Sequence, residues 1–210
     1  MPIRVILADD HAVVRQGIRF LLEHEGIQVI AEAGDGWEAI QLAVKHSPDI
    51  VVIDISMPSL NGLDAARELK RAAPKTKPLF LTLHEEPEYL MQALRAGAKG
   101  YVLKNQAASD LIRAIHLVHR GEMYLSPGMS TAVVHAYLSK SEIPADPITS
   151  RERQVLQLIA EGKSTRDIAS LLGISAKTAD SHRSRLMGKL DIHEVATLVR
   201  YAVRKGLVQP

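Results

Sequence analysis

The sequence predicts an α/β fold, a five-stranded doubly wound parallel sheet, followed by a smaller all-α domain built on a helix-turn-helix. Three observations carry this prediction. Five short aliphatic runs alternate with helix-period segments over residues 1–120, the pattern of successive β–α units with right-handed crossovers. Beyond residue 148 the strand pattern is gone and only helical periods continue. The charge also divides: residues 147–210 carry 11 Lys/Arg against 6 Asp/Glu, whereas residues 1–146 carry 15 against 18. A basic C-terminal part suggests contact with nucleic acid, although scattered solvated charge would give the same count.

The remaining composition excludes several classes. A length of 210 residues suits two domains, and 46% hydrophobic with 24% charged residues is ordinary for a globular chain. The absence of cysteine excludes disulfides, thiol catalysis and Cys-ligated zinc, and fits a reducing cytoplasm. No apolar run approaches the roughly 20 residues of a membrane span, and Met1-Pro2-Ile3-Arg4-Val5 has no signal-peptide pattern. A cytoplasmic protein without membrane contact is expected.

In chain order, residues 3–8 form the first strand and 11–23 the first helix, with Val13, Val14, Ile18, Leu21 and Leu22 on one face and Gly26 as its stop. Residues 28–33 are the second strand. Asp35-Gly36-Trp37-Glu38 has the spacing of a capping box and opens a helix through Val44. The third strand is the aliphatic run Ile50-Val51-Val52-Ile53, which ends in Asp54. Residues 62–71 give a helix closed by Pro74, and 78–82 the fourth strand. Pro87 suits the first turn of a helix reaching Ala96, with Gly97 as its cap. Residues 100–103 are the fifth strand, and Ser109 is expected to cap a helix over 110–120.

Ligands of an open parallel sheet bind where its strands end. Those ends read Asp9-Asp10, Asp54, Thr82 and Lys104. Converging carboxylates repel unless their pKa values rise or a cation joins them. Oxygen donors alone favour Mg²⁺, and an ammonium with a hydroxyl beside a metal-bound carboxylate suits an incoming phosphoryl group. His11 and His84 read as loop or surface residues outside the ligand set. Taken singly, each strand-end Asp is more often a turn former; their joint appearance is what points to a site.

With Asp9-Asp10, Asp54 followed by Met57-Pro58 and Gly62, Thr82, Ala96-Gly97-Ala98-Lys99-Gly100-Tyr101 and Lys104, residues 3–120 resemble the receiver domain of two-component response regulators. The resemblance implies that Asp54 accepts a phosphoryl group from a sensor histidine kinase. It implies Mg²⁺ held by Asp9, Asp10, Asp54 and the main-chain carbonyl of Ser56, a switch pair Thr82 and Tyr101, and Lys104 as the phosphate-binding lysine. Asn105 stands where many receivers have proline after that lysine, which makes a cis bond there costly.

Residues 121–147 read as a linker. Ala132, Val133, Ala136, Tyr137 and Leu138 suggest a short amphipathic helix, and residues 139–147 an exposed tether. The second domain spans 148–210. Thr149 and Glu152 have capping-box spacing for its first helix, Ser164 and Thr165 open a second, and Gly173-Ile174-Ser175 turns into a third over 176–190. A fourth covers 194–205, with Val195, Leu198, Val199 and Ala202 on its apolar side.

On the third helix Ala179, His182, Leu186 and Leu190 are expected to point inward. Lys177, Thr178, Asp180, Ser181, Ser184 and Arg185 are left outward, with Arg183 on a flank. Donors, acceptors and cations on one face suit base edges and phosphates, a merely solvated face being the alternative. Thr149-x-Arg151-Glu152-x-x-Val155-Leu156, Ala160-x-Gly162-x-Ser164, Asp167-Ile168-Ala169, Ile174-Ser175-x-x-Thr178 and Lys189-Leu190 resemble the LuxR/FixJ-type helix-turn-helix. Nearly the whole chain thus resembles the NarL/FixJ class of response regulator. The resemblance implies a phosphorylation-controlled transcription regulator, no enzyme, which binds double-stranded DNA as a homodimer. Asp180 replaces a lysine common in that family. Two other readings are a Mg²⁺-dependent phosphotransfer enzyme, disfavoured by Ser56 where such enzymes carry a second Asp, and a DNA-binding protein indifferent to phosphorylation.

Overall fold

The computed structural model describes residues 2–106, 108–129 and 147–208. They form two compact units, an N-terminal α/β unit and a C-terminal helical unit. The short helix expected at 132–138, and the tether at 139–147 except for its last residue, lie outside the described residues.

The α/β unit alternates strictly: β1 (Arg4–Ala8), α1 (Ala12–His24), β2 (Gln28–Ala33), α2 (Gly36–His46), β3 (Ile50–Ile53), α3 (Gly62–Ala72), β4 (Lys77–Thr82), α4 (Pro87–Ala96), β5 (Gly100–Leu103) and α5 (Ala108–His119). A sixth strand follows, β6 (Tyr124–Leu125), and the parallel order is β2-β1-β3-β4-β5-β6. The expected count of five strands is therefore short by one. Two residues carry no readable period, and β6 exists only through its pairing, Gly100 with Tyr124 and Tyr101 with Leu125.

The central strands are aliphatic on both faces because helices cover both. Val5, Leu7, Val52, Leu79, Leu81 and Val102 bury one face with Leu22 of α1 and Leu111, Ile115 and Val118 of α5. On the remaining helices, α2 packs along α3 and α3 along α4. Local chemistry sets the helix ends. Asn61 caps α3 by accepting from Asp64 N at 2.9 Å, and Gly97 closes α4 at φ 101°, a left-handed value that favours glycine.

Two expected caps differ. Asp35 accepts from Glu38 N at 2.8 Å, but the Glu38 carboxylate takes Gly34 N instead of Asp35 N. Ser109 lies inside α5, not before it; the cap position falls on a residue outside the described set. The described residues contain no cis peptide bond, so the Lys104–Asn105 bond is trans.

The helical unit contains α6 (Ser150–Ala160), α7 (Thr165–Leu171), α8 (Ala176–Leu190) and α9 (Val195–Arg204). Full capping boxes start α6, through Thr149 and Glu152, and α7, through Ser164 and Asp167. Ser175 starts α8 by accepting from Thr178 N at 3.1 Å. Ala179 and Leu186 of α8 and Leu198 and Ala202 of α9 are buried, while α8 packs on both α6 and α7. No helix among the described residues is long and apolar enough to cross a membrane.

Candidate functional site: an acidic pocket at the strand ends

The C-terminal ends of β1, β3 and β5 place their polar residues within reach of one another. Asp9 and Asp54 are both buried, at 4% exposure each. Lys104, just past β5, places its ammonium between them, 2.7 Å from Asp9 Oδ2 and 2.7 Å from Asp54 Oδ2. The other Asp54 oxygen accepts from Ile55 N at 2.7 Å. Asp9 Oδ1 accepts from His11 N at 2.8 Å, and the His11 ring Nδ1 lies 2.8 Å from Asp10 Oδ1. The four-carbon reach of a lysine past the end of β5 is what lets one cation serve carboxylates from two strands.

Burial shapes the electrostatics. It pushes the Asp54 carboxyl above the ordinary value, Lys104 pulls it back only in part, and the Asp9 charge adds to the rise. Burial would lower the Lys104 ammonium, but Asp54 and Asp9 outweigh it and hold the group above its usual range. Lys104 therefore stays charged at neutral pH. An acidic pocket with a fixed cation disfavours additional negative charge less than carboxylates alone would.

Thr82 and Tyr101 are fully buried and meet at His84 rather than at Asp54. Thr82 Oγ1 accepts from His84 N at 3.3 Å, and the Tyr101 hydroxyl donates to His84 O at 2.8 Å. The His84 ring is 2.9 Å from Ser56 Oγ through Nε2 and stacks on Tyr89 with centroids 4.0 Å apart. Burial lowers the His84 pKa, so its imidazole is neutral. Burial also raises Tyr101, which keeps its proton and donates, and lifts Tyr89 to about 12. His84 lies in the loop after β4, as expected, but half-buried there rather than at the surface. Its place two residues beyond a strand-end threonine carries no such signal, and only the fold brings Ser56 and Tyr101 to it.

The carboxylates at the end of β1 are a donor set of the kind a hard divalent cation takes. Asp9 and Asp10 offer oxygen atoms that, with a His11 ring nitrogen, lie within 4.8 Å of one another. Arg15 of α1 pairs with Glu32 at 3.3 Å and donates to the main-chain oxygen of Asp9, which fixes the turn that presents those carboxylates. Gly62 is also part of the site's construction. A Cβ there would come within 1.9 Å of the Asp54 carbonyl oxygen, and Gly62 N donates to Ile55 O at 2.9 Å.

The residues that the sequence suggests for DNA contact belong to the helical unit. Lys177, Thr178, Asp180, Ser184 and Arg185 of α8 are exposed, and Ser181 and Arg183 half-exposed. The Ser181 hydroxyl donates back to Lys177 O at 2.9 Å. His182 is half-buried, and burial together with Arg151 and Arg185 lowers its pKa.

Comparison with known proteins covers both units. Residues 5–116 match the family model of the response regulator receiver domain, and residues 146–202 that of bacterial regulatory proteins of the luxR family. The oxygen regulatory protein NreC of Staphylococcus epidermidis is 38% identical over 98% of this chain and 99% of its own. Among solved structures, a LuxR-family two-component response regulator from Aurantimonas is 34% identical, with a TM-score of 0.63 over 66% of this chain and 99% of that one. The response regulator RcsB in its DNA complex is 31% identical, with a TM-score of 0.61 over 96% and 98%.

Proposed function

Because this chain belongs to the two-component response regulators that join a receiver domain to a LuxR-type DNA-binding domain, we propose that it is a cytoplasmic transcription regulator controlled by phosphorylation of Asp54. The observation that carries the reading is the buried Asp54 carboxylate sharing the Lys104 ammonium with Asp9. Residues 1–120 act as the phosphoacceptor domain, 121–147 as the linker and 148–210 as the DNA-binding domain.

In the transfer, a carboxylate oxygen of Asp54 attacks the phosphorus of a phosphohistidine on a sensor kinase. The phosphorus–nitrogen bond breaks, its electron pair returns to the imidazole, and an acyl phosphate forms on Asp54. Mg²⁺ would be held by Asp9, Asp10, Asp54 and the Ser56 carbonyl, and supplies positive charge to the phosphoryl oxygens when bound. Lys104 neutralises a further part of that charge. The Thr82 hydroxyl, which accepts from His84 N, has its own proton to offer a phosphoryl oxygen. Such a bond would draw on the His84 contacts and through them on Tyr101, a local event with two arrangements to choose between.

The C-terminal unit reads double-stranded DNA with α8 in the major groove. Lys177, Arg183 and Arg185 face phosphates, and Thr178, Asp180, Ser181 and Ser184 face base edges or their flanks. RcsB is solved with DNA, and paired half-sites bound by a homodimer suit a module of this size.

Incubating the full chain with acetyl phosphate and Mg²⁺ and mapping the label by mass spectrometry tests the assignment. Asp54→Asn is expected to reduce labelling to background with the fold intact. Undiminished labelling of that variant sinks the site. Footprinting with and without the phosphodonor then tests control of DNA binding, where identical protection would leave a regulator indifferent to phosphorylation.

A further inference from the structure

The end of β5 is gripped from both sides, and one grip belongs to the chain as it leaves the α/β unit. On the β4 side, Lys104 N donates to Thr82 O at 2.8 Å. On the other, Leu103 N donates to the hydroxyl oxygen of Ser126 at 3.0 Å, and Ser126 N donates to Tyr101 O at 2.9 Å. Ser126 is wholly buried. Backbone pairing with β6 covers only Gly100 and Tyr101, because Pro127 follows and Met129 N turns back to Ser126 O at 3.0 Å. The Ser126 side chain therefore supplies an acceptor that the short strand does not, to a buried amide that is costly to leave unpaired. One residue thereby holds the peptides on both sides of Val102, through Tyr101 O and Leu103 N, and the second of them lies one residue before Lys104.

The Lys104 ammonium bridges Asp9 and Asp54, so any new charge at Asp54 changes what Lys104 is drawn to. We propose that Ser126 is a positioning residue for Lys104, and that the same bond makes residues 122–129, the first of the interdomain segment, respond to the state of Asp54. This rests on Asp54 as phosphoacceptor. The hydroxyl fixes the Val102–Leu103 peptide, one residue before Lys104; when the ammonium follows the phosphoryl group, the end of β5 shifts and carries the end of β6 with it. A second anchor of β6 is independent of Lys104: the Tyr124 hydroxyl donates to Asp110 of α5 at 3.0 Å.

The test is amide hydrogen exchange of residues 122–129 in the full chain, with and without acetyl phosphate and Mg²⁺, read beside Asp54 labelling. In the wild type the phosphodonor is expected to change exchange there about fivefold or more, the lower end of allosteric coupling. Ser126→Ala is expected to label several-fold more slowly and to exchange rapidly whether or not the donor is present. Tyr124→Phe is the structural control: faster exchange, but a wild-type labelling rate and a retained donor response. A labelled wild-type Asp54 with unchanged exchange at 122–129 overturns the proposal, and so does a Ser126→Ala chain that labels and responds as the wild type does. Should Ser126→Ala fail to fold, Ser126→Cys, whose sulfur is a weak acceptor, takes its place and the same outcomes decide. A wild-type Asp54 that takes no label removes the phosphoacceptor reading itself, and this inference with it.

Discussion

Gly62 shows how one missing atom places a reactive group. The residue begins α3 directly behind Asp54, where a Cβ would meet the Asp54 carbonyl oxygen at 1.9 Å and carbonyl carbon at 2.8 Å. Those are backbone atoms without a rotamer to escape into, so β3 or α3 must move. Gly62→Ala is expected to destabilise the chain by about 3 kcal/mol in urea titration, the upper range for overpacking. It should also depress acetyl-phosphate labelling, because the displaced atoms belong to Asp54; wild-type stability would mean the helix start yields without cost. His84 makes the complementary point. Its backbone and ring collect Ser56, Thr82 and Tyr101, yet nothing in a histidine two residues past a strand advertises this.

At the scale of elements, polar side chains at helix starts set the boundaries. Thr149 and Glu152 close a reciprocal cap on α6, with Thr149 N donating to Glu152 at 2.7 Å and Glu152 N to the threonine hydroxyl at 3.3 Å. Lys189 of α8 joins the same carboxylate at 2.7 Å, which ties two helices of the unit together. Burial pushes Glu152 up, but Lys189 and Thr149 more than reverse it and leave the carboxyl below its ordinary value of 4.5. A depressed folded pKa means stability that is present above the ordinary value and lost as pH falls through the folded one. Glu152→Gln is therefore expected to lower the stability of the helical unit by about 1 kcal/mol at neutral pH, the usual worth of a cap. In thermal melts the gap from wild type should close below pH 4.5; a gap constant with pH would assign the loss to packing. β6 lies at the other extreme, two residues that become a strand only because β5 offers an open edge beside them.

For the molecule as a whole, the proposed function divides between an acidic pocket on one unit and a helix face carrying Lys177, Arg183 and Arg185 on the other. If α8 contacts phosphates, log affinity for DNA falls linearly with log salt, with a slope of about 0.9 per phosphate neutralised. Arg185→Ala is expected to reduce that slope by about one while weakening all sequences alike. An unchanged slope in fluorescence-anisotropy titrations would move the DNA contact off this face. The sequence by itself determined the β–α alternation, the helical C-terminal unit and the strand-end residues Asp9, Asp54, Thr82 and Lys104, because period and terminal chemistry are local properties. Only the tertiary structure decided that Lys104 joins Asp9 to Asp54, that Thr82 and Tyr101 meet at His84, and that Ser126 completes the edge of β5. Apart from the Thr82–His84 bond, these are contacts between residues 17 to 95 positions apart, and no local pattern encodes a partner that far along the chain.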